Sequence, residues 1–304
     1  MALGQALLVT LLWSSSWVLI KVGLDELDLA PLSFAGLRYV LAAIVLLPFA
    51  LPALRRLGRE GLAGAPLGRL ALLGVTLYAV TQGAQFAALV HLPAVAVALA
   101  LSTTPVAIAL VSTRGGERPS PAQVVGAVVL VVGAAVYFGP LELGEGAAIG
   151  LAIAAVGVLA NAAAALMGRG LARDALPRVG GALGMTALSM AVGSVVLLGV
   201  GLAIEGVPRL TAEGWLVIGW LAVINTAFAF TLWNVTLRTL TAVESSVMNN
   251  LMLIQIAVLA WIFLGELLDP RELVGLAIAL AGILLVQLAR PRRSPPTAVE
   301  HADG

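Results

Sequence analysis

The chain has 304 residues, of which 61% are hydrophobic and 11% charged, with a mean hydropathy of +1.05. A soluble domain carries about 25% charged residues, so a water-exposed globule and an unfolded chain are both excluded. The net charge of +1 offers no basic surface for nucleic acid, and the absence of cysteine removes disulfides, thiolate metal sites and a cysteine nucleophile.

Ten apolar runs of about 20 residues, the length that crosses a hydrocarbon core of about 30 Å, follow one another at 3–22, 32–52, 69–90, 93–113, 121–139, 147–167, 180–204, 212–234, 242–264 and 272–289. The first run has no basic leader; Lys21 follows it, so it reads as a retained helix and not as a secretory signal. Residues 70–113 are too long for one crossing and divide at Pro93, just after His91, because proline cannot continue a helix without losing a hydrogen bond. Residues 212–264 divide at Arg238-Thr239-Leu240-Thr241. The runs are continuous and not alternating, which excludes a β-barrel. The fold class is therefore an all-α integral membrane protein of ten transmembrane helices, followed by a disordered tail over 290–304.

Placing the amino terminus in the cytoplasm puts Arg55, Arg56, Arg59, Arg69, Arg114, Arg118, Arg169, Arg173, Arg178, Arg238, Arg290, Arg292 and Arg293 on the inner side. Lys21, Arg38, Arg209 and Arg271 lie toward the outer side, with the acidic Asp25, Glu26, Asp28, Glu142, Glu145, Glu205, Glu213, Glu266, Asp269 and Glu272. The positive-inside rule thus predicts a multi-pass protein of the cell (inner) membrane with both termini cytoplasmic.

An internal repeat organises the runs. Leu92-Pro93-Ala94-Val95 matches Leu240-Thr241-Ala242-Val243. At an offset of 149, Gly116-Glu117 falls on Gly265-Glu266, Pro121 on Pro270, Gly126 on Gly275 and Gly133 on Gly282. Lys21 meets Arg169 at an offset of 148. Two units result, 1–140 and 141–289, each of five helices. An odd number makes the second unit enter the membrane from the opposite side, and such inverted repeats place a binding site near the midplane between them.

The chain also resembles the drug/metabolite transporter superfamily and, within it, the EamA-type permeases. The matching features are Trp13-Ser14-Ser15-Ser16-Trp17 followed by Lys21, Pro31 with Arg38, Pro105 followed by Gly116-Glu117, Trp233, and Gly265-Glu266. One departure is Ile254, where the first repeat has Pro105 and the family often keeps proline. The resemblance implies secondary transport of small metabolites, commonly export of amino acids or related compounds.

A charge at the bilayer centre costs about 2.5–3.5 kcal/mol on insertion scales, so intramembrane polar residues mark candidate sites. Arg38 is the deepest cation; it fits a substrate carboxylate or a gating contact, or else reaches out to Asp25, Glu26 or Asp28. Lys21, nearer its helix end, fits snorkelling. Trp13 and Trp17 share a helix face, and with Ser14 and Ser16 they could line a cavity; the serines could equally serve close packing. Gln82, Gln85 and Thr103 lie in helices 3 and 4, where Pro105 frees carbonyls that either meet a substrate amine or are satisfied by the Ser102-Thr103-Thr104 hydroxyls. Asn225, Trp233 and Asn249 complete the substrate-binding candidates. Coupling candidates are Glu244, which could instead favour a helix amino terminus or pair with Arg238, and His91, in a tight outer turn. The seven-residue glycine spacings Gly126/Gly133, Gly150/Gly157 and Gly275/Gly282 read as close helix packing.

Other chemistries find no residues. There is no Walker loop for ATP, two histidines (91 and 301) cannot build a zinc site, and no Gly-x-Ser-x-Gly elbow accompanies the serines. The expected function is a non-ATP transporter, an exporter by alternating access, with a small-molecule substrate and the lipid bilayer as partners, no cofactor, no metal and no catalytic residue. A homodimer is left open. The alternatives are a membrane-embedded enzyme or a channel, and no residue favours either.

Overall fold

The computed structural model describes residues 2–60, 67–112, 120–138, 145–175, 180–236, 239–240 and 242–288. The Gly116-Glu117 landmark, Arg114, Arg118, Arg178, Arg238 and the tail 290–304 lie outside them, as does the side chain of Glu244. Among the described residues every regular element is helical. In chain order they are α1 (Ala2–Asp25), α2 (Pro31–Glu60), α3 (Leu67–Leu89), α4 (Ala94–Ser102), α5 (Thr104–Ser112), α6 (Pro121–Phe138), α7 (Glu145–Ala175), α8 (Gly181–Glu205), α9 (Ala212–Thr236), α10 (Ala242–Leu264) and α11 (Pro270–Leu288).

Helix starts follow local sequence rules. Pro31, Pro121 and Pro270 open α2, α6 and α11, at the position where a missing N–H costs nothing. Ser120 and Gln123 bond each other's backbone N–H ahead of α6 (2.9 and 3.2 Å), and Asp269 and Glu272 do the same ahead of α11 (2.9 and 2.7 Å). These two capping boxes stand 149 residues apart, the offset of the repeat landmarks. Pro93 caps α4, as the break expected there requires.

Among the described residues, seven helices, α1, α8 and α9 among them, are long and apolar enough to cross a bilayer, and two further apolar helical stretches, Ala94–Ile108 and Leu251–Leu264, are shorter. Large apolar side chains face outward along these helices: Val124, Val125, Val128, Val131 and Val132 on α6, and Leu7, Leu8 and Leu11 on α1. Such a surface is unstable in water and suited to lipid. The protein is a multi-pass membrane protein.

Two helix pairs form the most extensive crossings. α6 packs on α11 with glycine backbone against glycine backbone: a β-carbon at Gly126 would lie 2.9 Å from the Gly282 carbonyl oxygen, and one at Gly133 2.8 Å from that of Gly275. Since 126 meets 282 and 133 meets 275, the two helices run antiparallel. α2 crosses α8 the same way, Gly36 against Leu198 and Gly201 against Ser33 (2.6 Å each from an added β-carbon to the nearest backbone atom). α1 packs on α9 and α10, whereas α7 packs on α3, α4 and α5.

Among the described residues, two helices contain a wide turn. Val75–Gln82 in α3 and Val223–Phe228 in α9 are π-helical. In each, a threonine hydroxyl reaches back five residues to a carbonyl, Thr81 to Thr76 (2.9 Å) and Thr226 to Leu221 (2.8 Å). Such turns often mark functional segments, because they displace side chains from the regular helical register.

Candidate functional site

Among the described residues, three groups of polar side chains stand out. The first surrounds Arg38, which is 5% exposed. Its Nε donates to Thr226 Oγ1 on the π-turn of α9 (3.0 Å) and its Nη2 to Ser16 Oγ on α1 (3.4 Å). The guanidinium also lies 5.0 Å from the Tyr39 ring and 5.9 Å from the Phe86 ring, within cation–π range. Asn225 joins the group, its amide donating to the Leu12 carbonyl, Ser15 Oγ (3.0 Å) and Ser16 Oγ (3.1 Å), while its own Oδ1 is buried without a partner. Among the described residues no carboxylate pairs with Arg38. It turns inward to hydroxyls and does not reach Asp25, Glu26 or Asp28.

The second group is a cavity of about 370 Å³ between α1, α4, α5, α7, α10 and α11. Its polar lining is Trp17, Ser102, Asn161 and Asn249; Leu101, Pro105, Met252, Leu253, Ile256 and Ile283 are among its apolar walls. The chain breaks at Thr103, between α4 and α5, beside this cavity. Hydroxyls bond the carbonyls around this break: Ser102 donates to Ala98 (2.8 Å), Thr103 to Ala100 (2.7 Å) and Thr104 to Leu101 (2.6 Å). Asn161 donates to Thr104 Oγ1 (3.2 Å) and so ties α7 to the break. Of the two uses open to these carbonyls, the hydroxyls supply one. Among the described lining residues none is charged.

The third group is a vestibule of about 420 Å³ at the end of the bundle where α1, α3 and α10 finish and α4 begins. Lys21, Asp25, Glu26, His91 and Glu266 line it. Lys21 pairs with Asp25 (3.0 Å) and donates to the Leu89 carbonyl (2.8 Å). His91 is exposed there.

The predicted residues divide accordingly. Trp17 and Asn249 line the cavity; Ser16, Arg38 and Asn225 form the buried knot beside it, reached through the Ser16–Trp17 step of α1. Trp13 and Trp233 meet ring to ring at 5.3 Å, with Phe230 5.4 Å from Trp13, in a separate aromatic cluster between α1 and α9. Ser14 bonds Gln255 Oε1 (3.0 Å), and Gln255 in turn reaches Thr10 (3.3 Å). Gln82 accepts from the Tyr39 hydroxyl (2.7 Å), and Gln85 is half-buried on α3. Glu266 enters the vestibule although its sequence position suggests only a solvated loop acid; its place in the repeated Gly-Glu pair is the signal that marks it. Asn161, an isolated amide in an apolar run, is the other lining residue that residue type alone points to.

Comparison with known proteins agrees with this architecture. The profile of the EamA-like transporter family matches residues 1–139 and 148–288. A probable terminal-alkyne amino-acid exporter of Streptantibioticus cattleyicolor is 28% identical over 291 residues, covering 94% of this chain and 93% of its own. A protein of known crystal structure superposes with a TM-score of 0.62 at 16% identity, over 94% of this chain and 96% of that one, which is a likeness of fold alone. With both stretches of the family profile matched across nearly its whole length, the chain belongs to the EamA-like transporter family.

Proposed function

We propose that this protein is a secondary exporter of small organic solutes, amino acids among them, working by alternating access of two inverted five-helix halves, residues 1–140 and 141–289. The observation that carries the reading is the α6–α11 crossing. Gly126 meets Gly282 and Gly133 meets Gly275, while the repeat equates Gly126 with Gly275 and Gly133 with Gly282. Each contact is therefore the exchange image of the other, as a twofold axis in the membrane plane requires. The paired capping boxes and the π-turns in the third helix of each half support the same symmetry. So do the two stretches of the family match, one on each half. Both termini are cytoplasmic in this reading, by the arginine distribution.

The cavity is the substrate site. Its walls are mostly apolar, with amides from Asn161 and Asn249 and the Trp17 indole as polar contacts. A net charge entering such walls loses its hydration without an opposite charge to meet, so the site suits a net-neutral solute with an apolar body. Apolar amino acids meet that description, and it is consistent with the relative from Streptantibioticus cattleyicolor being a probable exporter of a terminal-alkyne amino acid. The Arg38 knot stands beside the cavity as a fixed positive charge available to a carboxylate once the halves rearrange.

Counterflow in proteoliposomes loaded with an apolar amino acid such as leucine tests this. The parent protein should give saturable uptake. Trp17→Ala and Asn249→Ala should each raise KM about tenfold, the effect of losing about 1.4 kcal/mol of binding. Unchanged KM in both variants would contradict the placement of the site, and no flux of any solute would contradict transport.

A further inference from the structure

At the vestibule end, two carboxylates from the second half reach across to helices of the first. Glu205, at the end of α8, uses both oxygens: they accept the N–H groups of Leu32 and Ser33 at the start of α2, each at 2.8 Å. That is a fully engaged clamp on donors with no intrahelical acceptor. Glu266 makes the corresponding bridge between α10 and α4 and is only half engaged. Gly265, at φ +67°, turns the chain out of α10, and the Glu266 N–H bonds back to the Ala260 carbonyl (3.3 Å). The side chain then reaches Ala94, the first residue of α4, whose N–H donates to Oε1 (3.0 Å). Oε2 is sealed from solvent and has no donor. A sealed carboxylate oxygen without a partner is costly. Among the described lining residues, Lys21 is the one ammonium and is held by Asp25 and the Leu89 carbonyl, and the remaining ionisable groups are Glu26 and His91.

The position of this contact gives it a consequence. Lys21 lines the vestibule and Trp17, one turn back on α1, lines the cavity; on α4, Pro93 lines the vestibule and Ala98 the cavity. One helical turn, about 6 Å at 1.5 Å per residue, separates the two spaces. Between them lie buried small residues of α4 and α10, Ala94 and Ala260. Among the described residues, the Glu266–Ala94 hydrogen bond is the one that joins α10's end to α4's start.

We propose that Glu266 is the latch of the outer gate: its bond to Ala94 holds α4 and α10 together over the cavity, and its release opens the cavity to the vestibule. The inference rests on the alternating-access reading and adds the residue that controls the outer side. The half-satisfied carboxylate keeps the closed state shallow, so the gate can open in each cycle, whereas Glu205 stays fixed at the α2–α8 crossing.

The absence of native cysteine makes the test direct. Ser102→Cys places a thiol in the cavity, and a membrane-impermeant maleimide is added outside intact cells. The latch predicts slow labelling of Ser102→Cys alone and about tenfold faster labelling when Glu266→Ala is added. Glu266→Gln keeps an acceptor for the Ala94 N–H and should label close to the parent. Ala94→Pro removes the donor at a position where proline suits a helix start, and should open the gate as Glu266→Ala does. His91→Cys, already in the vestibule, should label equally in every background and so reports folding and orientation. Equal labelling of Ser102→Cys with and without Glu266→Ala and Ala94→Pro, with normal labelling at His91→Cys, overturns the latch. Solute flux by the parent protein is measured alongside: flux with unchanged labelling rejects only the latch, and absence of flux rejects the transport reading itself.

Discussion

Replacing Arg38 with methionine should leave the protein as stable as the parent, or more so, while cutting flux at least tenfold. The guanidinium is almost wholly buried and has no carboxylate partner among the described residues. Replacing a buried ion pair by apolar side chains of similar volume is often neutral or stabilising by about 1–4 kcal/mol, and a buried guanidinium without a carboxylate recovers less of its desolvation cost than a paired one. The groups that Arg38 touches do not become orphans: Thr226 still donates to the Leu221 carbonyl (2.8 Å) and Ser16 to the Leu12 carbonyl (3.2 Å). In the proposed reading, function offsets that cost: the charge is held beside the cavity for a substrate carboxylate or for the rearrangement of α1, α2 and α9. Thermal unfolding of the purified variant and counterflow in proteoliposomes, measured together, check both halves of the statement. A sharply lowered Tm with normal flux per folded molecule would make Arg38 a structural residue.

Gly133→Val should damage folding severely. At that crossing a β-carbon alone would fall onto the Ala279 backbone and within 2.8 Å of the Gly275 carbonyl oxygen. A side chain there forces α6 and α11 apart along their whole interface. Overpacking of a tight core costs about 1–3 kcal/mol, and a clash with backbone leaves less room to relax than one with a flexible side chain. Gly275→Val should act similarly, and the two together should cost less than their sum, since they break one contact. Gly199→Ala on α8, with open space around the added carbon, should be close to neutral. The yield of monodisperse protein and its Tm in detergent give the readout; a Gly133→Val protein as stable as the Gly199→Ala protein would contradict the packing described.

Much of the helical layout was legible from sequence because it depends on local rules. Apolar length sets the spans, Pro93 can only start a helix, and Pro121 and Pro270 mark the same position in each half. The glycine pairs at seven-residue spacing announce close packing, but which helices pack is a matter of three-dimensional pairing that spacing does not contain. The π-turns are also invisible to a periodicity argument, since each shifts the register by a fraction of a turn within an otherwise apolar run. Their signature is the threonine that bonds five residues back, a contact visible only once the helix is built.

The polar candidates show the same limit. Residue type singled out Arg38, Asn225, Trp17 and Asn249; the structure buries the first three and sets Trp17 and Asn249 on the cavity. Residue type could not separate the buried knot from the cavity lining, because Ser16 and Trp17 are adjacent in sequence yet turn to different spaces. At the Thr103 break, sequence left two uses for the freed carbonyls, and the hydroxyls of Ser102, Thr103 and Thr104 each bond a carbonyl around it. Glu266 reads as an ordinary loop acid until Ala94, 172 residues away, is seen beneath it.

The central claim, two halves of opposite orientation, is tested most directly by single cysteines at equivalent ends of the two repeats. Gly115→Cys and Leu267→Cys are each made in the cysteine-free chain and probed with an impermeant maleimide on intact cells and again after permeabilisation. Inverted halves require Leu267→Cys to label on intact cells and Gly115→Cys only after permeabilisation. Labelling of both from one side of the membrane would contradict the inversion, and with it the alternating-access account.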